Sequence, residues 1–488
     1  MKFSRVIGLA SIGGLAVLGT VGVSPASAAT KTIKCGTFLS GNVTAANSIG
    51  PCPVGDAIKI SASGTVLNLA GHSIQCSNFD NHLRKEQVGV HIMGASNVTV
   101  KNGSVYDCDA GVAIEGGANN TVSGITAHDN VAHVLVSGPV NPDNPLTTPC
   151  NFGDGITTLS SSGNHITGNL VYSNGPFSGI SLVDNSDNNM VTGNQVYQQN
   201  IPNLLPPPAP AGTNGPCGPF SATPQGQGRA DQDIGIRVEG PGADNNQVVG
   251  NQVHDNMLDG ITVHGYVCLN GAGPTPPPGL PPRGTSNTGT LIKGNSVFSN
   301  GFDLDQLGQP VPGGSAQGQD GIAILRQGPF GVIVCASHDT TIIGNSSTNN
   351  ARYGIFVPPT GDQLLPAHNT VNANLVNNNG LQGIHVDGPF LACPLGHGTD
   401  TGPTFCNVVR EIRPGSIDNT LVGNQGSGNG THIVGSNIGG RDGWDGNVGC
   451  DNNHWVANIF GTVNQACVAA NGGTGTPIGP IPTTIIPT

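Results

Sequence analysis

Hydrophobic and polar positions alternate in very short runs along this chain, and the runs return in a fixed order. An aliphatic-x-Gly-Asn stretch that closes on a second Asn is followed a few residues later by Gly-Ile-x-Val or a near variant. The pair occurs at 166–174 with 179–182, at 248–256 with 260–263, and at 342–350 with 354–357. Whole or partial copies run at 191–200 with 235–238, 292–300 with 321–324, 371–379 with 383–386, and 421–429. Alternation over so few residues predicts short strands with one buried face. Where no loop intervenes, the period is 22 residues (Gly103 to Ile125) to 25 residues (Asn169 to Asn194). A unit that small encloses no core, so units must stack to bury their aliphatic residues.

A helical solenoid is excluded, because it needs longer runs at 3.6 spacing and does not accommodate 76 glycines and 37 prolines. Stacking places Asn169, Asn194, Asn251, Asn295, Asn345, Asn374 and Asn424 one above another. A column of amides at a turn bonds from coil to coil and satisfies backbone groups that a sharp corner would strand.

These repeats resemble the right-handed parallel β-helix proteins of the pectate-lyase-like superfamily over roughly residues 60–435. The segment 66–74, Val-Leu-Asn-Leu-Ala-Gly-His-Ser-Ile, looks like their opening coil. The expected fold class is all-β, a single-stranded right-handed parallel β-helix solenoid with disulfide-closed end caps. The expected organisation is a signal peptide at 1–28, an N-terminal cap at 30–60, a solenoid with loop insertions at 61–435, a C-terminal cap at 436–468 and a disordered Gly/Pro/Thr tail at 469–488. Lyases, hydrolases, epimerases and inert spikes share this fold, so function has to come from the site.

Lys2 and Arg5 precede an apolar stretch at 6–23, and Pro25, Ala26, Ser27 and Ala28 supply small residues for cleavage. The expected product is a secreted, extracellular monomer. All 12 cysteines follow the leader, an even number that suits disulfides. Cys35 with Cys52 and Cys450 with Cys467 bracket the two ends, where a solenoid exposes an apolar face that needs closing. Cys76 with Cys108 would tie neighbouring coils, and Cys393 with Cys406 would staple a loop; Cys150, Cys217, Cys268 and Cys335 have no derivable pairing. Loss of the leader takes the formal charge from −12 to about −14. An acidic, charge-poor surface argues against nucleic acid and anionic membranes as partners. Aromatic residues are only 4%, which makes long sugar-stacking platforms unexpected.

Long Pro/Gly-rich insertions interrupt the repeat at 138–153, 201–232, 266–288, 302–319, 327–337, 358–367 and 389–416. Loops of this length mark a binding or catalytic rim, and all of them flank the Gly-Ile-x-Val strand, whose outer face becomes the floor of a groove. Alternation turns the x positions outward: Ser181 and Val183, Arg237 and Glu239, Thr262 and His264, Ala323 and Leu325, Phe356 and Pro358, His385 and Asp387. Arg326 follows Leu325, and Asp154, Asp259 and Asp320 precede the glycine, with Asp233 one residue earlier in its coil. In a chain with 9% charged residues this concentration is the strongest site signal. The structural alternative is that each aspartate caps a turn and that the charges form an ion-pair ladder.

Three functions fit a polysaccharide partner. The favoured one is β-elimination on a uronic-acid-containing glycan, as the family resemblance implies. Asp233, Asp259 and Asp320 would hold Ca²⁺, Arg237 and Arg326 would neutralise the carboxylate, and His264 would act as base. Glu239, Phe356, His385 and Asp387 would bind substrate, the last two at an outer subsite. The second is glycoside hydrolysis with Asp259 and Asp320, or Asp233 and Asp320, as acid and base. The third is a non-catalytic secreted spike that binds glycans.

Overall fold

The computed structural model describes residues 28–53, 55–77, 87–130, 153–175, 178–199, 214–215, 218–219, 234–240, 242–256, 259–265, 287–301, 322–326, 337–357, 368–386, 390–392, 411–413, 418–430, 440–447, 450, 453–469 and 476–477. The leader, most of every insertion, and Cys150, Cys217, Cys268, Cys335, Cys393 and Cys406 lie outside the described residues.

The chain winds as a parallel β-helix. One fourteen-stranded sheet collects the Gly-Ile-x-Val strands, and a twenty-three-stranded sheet collects the two short runs on either side of the Gly-Asn corner. Thr99–Tyr106 and Thr121–His128 each pair in both halves of the larger sheet, so they bend around that corner and join its two ladders. Registers are parallel and repeat from coil to coil: Ile156 stands opposite Ile180, Ile180 opposite Ile236, and Ile236 opposite Ile261. The only helix among the described residues is Ala466–Ala469.

Aliphatic side chains fill the interior in columns. Val122, Ile166, Val191, Val248, Ile292, Ile342, Val371 and Leu421 are fully buried one above the next. Each contributes on the order of 1.5–3 kcal/mol by leaving water. The glycine of Gly-Ile-x-Val is required by space. A Cβ on Gly235 would stand 2.3 Å from Val253 Cγ1 and 2.6 Å from the Gly260 carbonyl oxygen.

The asparagine column forms as its spacing predicts and runs one coil further, to Asn458. Asn169 Nδ2 donates to Asn194 Oδ1 at 2.9 Å, and the same bond recurs at 2.9–3.0 Å through Asn251, Asn295, Asn345, Asn374, Asn424 and Asn458. The same carboxamide oxygen also accepts the backbone N–H of the preceding coil's asparagine, as Asn295 Oδ1 does from Asn251 N at 2.8 Å. A second column follows the closing asparagines from Asn256 through Asn300, Asn350 and Asn379 to Asn429, and ends on Asp442. Cys35–Cys52, Cys76–Cys108 and Cys450–Cys467 are disulfide-bonded. At the C-terminal end Trp455, Phe460 and Val468 plug the core.

Truncating one rung tests the column. Asn295→Ala strands the buried Asn251 N–H and leaves Asn345 Oδ1 and the Val248 carbonyl each one donor short. The expected loss is about 3 kcal/mol, at about 1–3 for each orphaned buried group. Urea denaturation reads it against Lys293→Ala, an exposed neighbour expected to change stability by less than about 0.5 kcal/mol.

Candidate functional site

Fixed registers turn the outward x positions of the fourteen-stranded sheet into straight columns. The first reads Lys59, His91, Ala113, Thr157, Ser181, Arg237, Thr262, Ala323, Phe356, His385, Trp444. The second reads Met93, Glu115, Leu159, Val183, Glu239, His264, Leu325.

The middle of this face is polar and buried. Arg237 Nη1 lies 2.6 Å from Glu239 Oε2, and the two residues are only 3% and 6% exposed. Ser181 Oγ donates to Thr157 Oγ1 at 2.7 Å, and Thr262 Oγ1 donates to Asp259 Oδ2 at 3.0 Å. Asp154 is fully buried, and neither oxygen has a well-aligned hydrogen-bond partner among the described residues. Burial pushes its carboxyl up to about 7, although the Arg237 charge and the Ser181 hydroxyl pull the other way; Glu239 adds to the rise. Asp154 thus feels both members of the ion pair two coils away.

Toward the C-terminal end the same column becomes aromatic. Phe356 and His385 lie 5.3 Å apart between ring centroids, and His385 stacks on Trp444 at 6.0 Å with planes 4° apart. Tyr353 packs on both Phe356 and His385, at 5.2 and 4.5 Å. The Arg352 guanidinium lies 4.3 Å above the Tyr353 ring and its Nη2 donates to the Tyr353 hydroxyl. Phe356 and Trp444 stay half-exposed while Tyr353 and His385 are buried.

Of the residues expected from sequence, Arg237, Glu239 and Asp259 stand on adjacent coils, and Phe356 and His385 are neighbours further along the face. His264 and Arg326 are described only as strand backbone: His264 stands opposite Glu239 and Leu325, and Arg326 opposite Gly265. Asp233, Asp320 and Asp387 lie outside the described residues. As for Ca²⁺, Asp259 is the one described member of its expected ligand set, and it already accepts the Thr262 hydroxyl. No cluster of three His, Cys, Asp or Glu suited to a metal occurs among the described residues.

Sequence reasoning passes over a second charged group on this face. His91 Nδ1 lies 2.9 Å from Asp56 Oδ2, and Nε2 lies 3.1 Å from Glu115 Oε2, the latter off the line of a good hydrogen bond. Gly89-Val90-His91-Ile92 and Gly111 to Glu115 are copies of the same strand motif, so His91 and Glu115 are legible as outward positions. Burial alone would lower the imidazole, but the Asp56 and Glu115 carboxylates outweigh it and raise His91 to about 9. Sequence composition also hides a six-ring column on the larger sheet: Tyr106, His128, Tyr172, Tyr197, His254 and Phe298 stack at 4.6–5.2 Å. Asp129 and Asp255 hold the two imidazoles through Nδ1.

Residues 41–199 match the family model described as right handed beta helix region. With the parallel ladders, this makes the chain a right-handed parallel β-helix repeat protein. No curated protein matches the sequence significantly. Among solved structures it is similar to the periplasmic alginate epimerase AlgG, with 13% identity over 81% of this chain and 74% of that one and a TM-score of 0.39. It is similar to the A-module of the Azotobacter vinelandii mannuronan C-5 epimerase AlgE6, with 15% identity, coverage of 82% and 89%, and a TM-score of 0.38. It is also similar to the catalytic domain of a GH87 alpha-1,3-glucanase in complex with nigerose, with 15% identity, coverage of 84% and 61%, and a TM-score of 0.49. Likeness at this level carries no argument about this chain's chemistry.

The His91 bridge has a pH signature. A histidine raised on folding stabilises fully below its unfolded value near 6.5, and that stabilisation is lost as pH rises through about 9. Wild type is therefore expected to lose stability between pH 6.5 and 9 relative to His91→Gln, as read by thermal midpoints across that range; parallel pH profiles would remove the charged bridge.

Proposed function

We propose that this chain is a secreted polysaccharide-active protein whose substrate lies along the outer face of the fourteen-stranded sheet. One observation carries the reading: in a chain with 9% charged and 4% aromatic residues, a single outward column joins a charged, hydroxyl-rich middle to an aromatic end. From the strand Ile156–Leu159 to Arg441–Asp445 the face is eight strands wide, about 34 Å at the usual strand spacing. That span suits an extended polymer, with hydroxyls and charges to orient it and ring faces to pack on it. Export is supported by the leader-like N-terminus and the disulfides. No helix among the described residues is long and apolar enough to cross a membrane.

For the reaction, the geometry favours carboxylate chemistry over the β-elimination expected from sequence. Elimination needs a cation to spare for the uronate carboxylate, and Arg237 is already closed on Glu239. Hydrolysis needs one protonated and one ionised carboxyl. Asp154, raised to about 7 by burial, serves as general acid, and Glu239, held by Arg237, as its partner. Elimination through His264 and Arg326, on adjacent strands, is the second reading.

A polysaccharide panel followed for reducing ends and for ultraviolet absorbance of unsaturated product separates the two. Reducing ends without absorbance are expected. Activity should fall as pH rises above about 7, where Asp154 loses its proton. Asp154→Asn should lower kcat by about 10²–10⁴. Unsaturated product would instead establish elimination, and glycan binding without either signal would leave a recognition spike.

A further inference from the structure

The residue before the glycine of each Gly-Ile-x-Val strand belongs to the groove face as well. A Cβ on Gly155 or Gly179 would meet the core side chains Val171 and Val196, at 2.5 and 2.4 Å, so the glycine faces inward and its predecessor is turned out. That predecessor meets the outward x residue three positions on. Asp259 accepts from Thr262 at 3.0 Å, Gln382 Oε1 lies 3.2 Å from His385 Nδ1, and the Tyr353 ring packs on Phe356 at 5.2 Å. Asp154 and Ser178 hold this position on neighbouring strands: the Gly155 N–H bonds the Ser178 carbonyl at 3.2 Å, and the Ser178 backbone is close enough to act on the Asp154 carboxyl. Asp154, Ser178 and Gln382 are fully buried, yet both carboxyl oxygens of Asp154, Ser178 Oγ and Gln382 Nε2 have no well-aligned partner among the described residues. Thr158 Oγ1 is in the same condition, but Thr158 stands between Ile114 and Leu182 and faces the core.

We propose that Ser178 and Gln382 bind sugar hydroxyls, Ser178 beside the acid Asp154 and Gln382 beside the aromatic end, so that the residue before the glycine is the position through which this groove reads a glycan. The proposal rests on the groove reading above and names binding residues for it. Buried polar groups are nearly always paired, and an unpaired one is a burden on the free protein. Three such side chains in one column of an outer face are matched when a ligand supplies the missing partner. A sugar hydroxyl both donates and accepts, so it suits a serine hydroxyl in either sense and accepts from an amide nitrogen. Gln382 Oε1 can only accept from His385 Nδ1, which leaves Nε2 as the end presented to the ligand. By contrast, Ser181 with Thr157 and Thr262 with Asp259 are paired within the protein and shape the floor. A hydroxyl held for a ligand also predicts opposite signs for stability and binding when it is removed: Ser178→Ala relieves the free protein and weakens the complex.

Affinity electrophoresis of the mature protein in gels containing dextran, mixed-linkage β-glucan, galactomannan, alginate or polygalacturonate tests this, with thermal midpoints measured alongside. Wild type is expected to be retarded in at least one gel. In that gel Ser178→Ala and Gln382→Met, checked for an unchanged far-ultraviolet circular dichroism spectrum, should each bind about fivefold more weakly or worse, while the midpoint of Ser178→Ala equals or exceeds that of wild type. Thr158→Val removes an equally buried hydroxyl from the core side and should bind as wild type does. Full retardation of both groove variants, or a loss in Thr158→Val as large as theirs, would overturn the inference and leave the groove reading standing. A lowered midpoint for Ser178→Ala would overturn it as well, by showing that the hydroxyl serves the fold. Retardation of wild type in no gel would overturn the groove reading and the inference together.

Discussion

Each coil of the solenoid turns corners that leave backbone groups without a partner in their own strand, and stacked asparagine amides are what satisfy them. One carboxamide at each corner does three things at once. It donates to the next amide, donates to a backbone carbonyl of the preceding coil, and accepts a backbone N–H, as Asn295 does with Asn345, Val248 and Asn251. A slip of one residue would break all three and turn the aliphatic columns outward. The amide column therefore fixes register as well as the corner, and register is what aligns Arg237, Thr262, Phe356, His385 and Trp444 on one face.

Two aromatic groups on the same solenoid show how stacking serves different ends. In the Tyr106-to-Phe298 column the planes are 3–17° apart, and each interior ring has both faces covered by its neighbours. Such a column contributes about 0.5–1.5 kcal/mol per contact to the coil stack and leaves only ring edges for solvent. Around His385 the arrangement is less regular. Phe356 is inclined 56° to His385 and 35° to Tyr353, and Phe356 and Trp444 both stay half-exposed.

The fold was legible because the repeat shows it many times over: Gly-Ile-x-Val and the Gly-Asn corner each mean one thing, and every copy confirms the others. The site was legible where it follows the same alternation, which is why Arg237, Glu239, Phe356 and His385 are on the face expected of them. It was not legible where the three-dimensional surroundings decide. Asp154 was visible as an aspartate before glycine, but its raised affinity for a proton comes from burial and from charges two coils on, which no local pattern carries. His91 needs Asp56, 35 residues away, to become a bridged cation.

The charge balance of the face follows from its burial. A lone guanidinium at 3% exposure would carry a desolvation penalty that water cannot offset, so Arg237 needs Glu239 beside it. Once that pair closes, its combined field on a neighbouring carboxyl is that of a dipole, weak enough for burial to dominate at Asp154. The same compensation that makes the ion pair tolerable thus leaves a nearby acid able to keep its proton near neutrality.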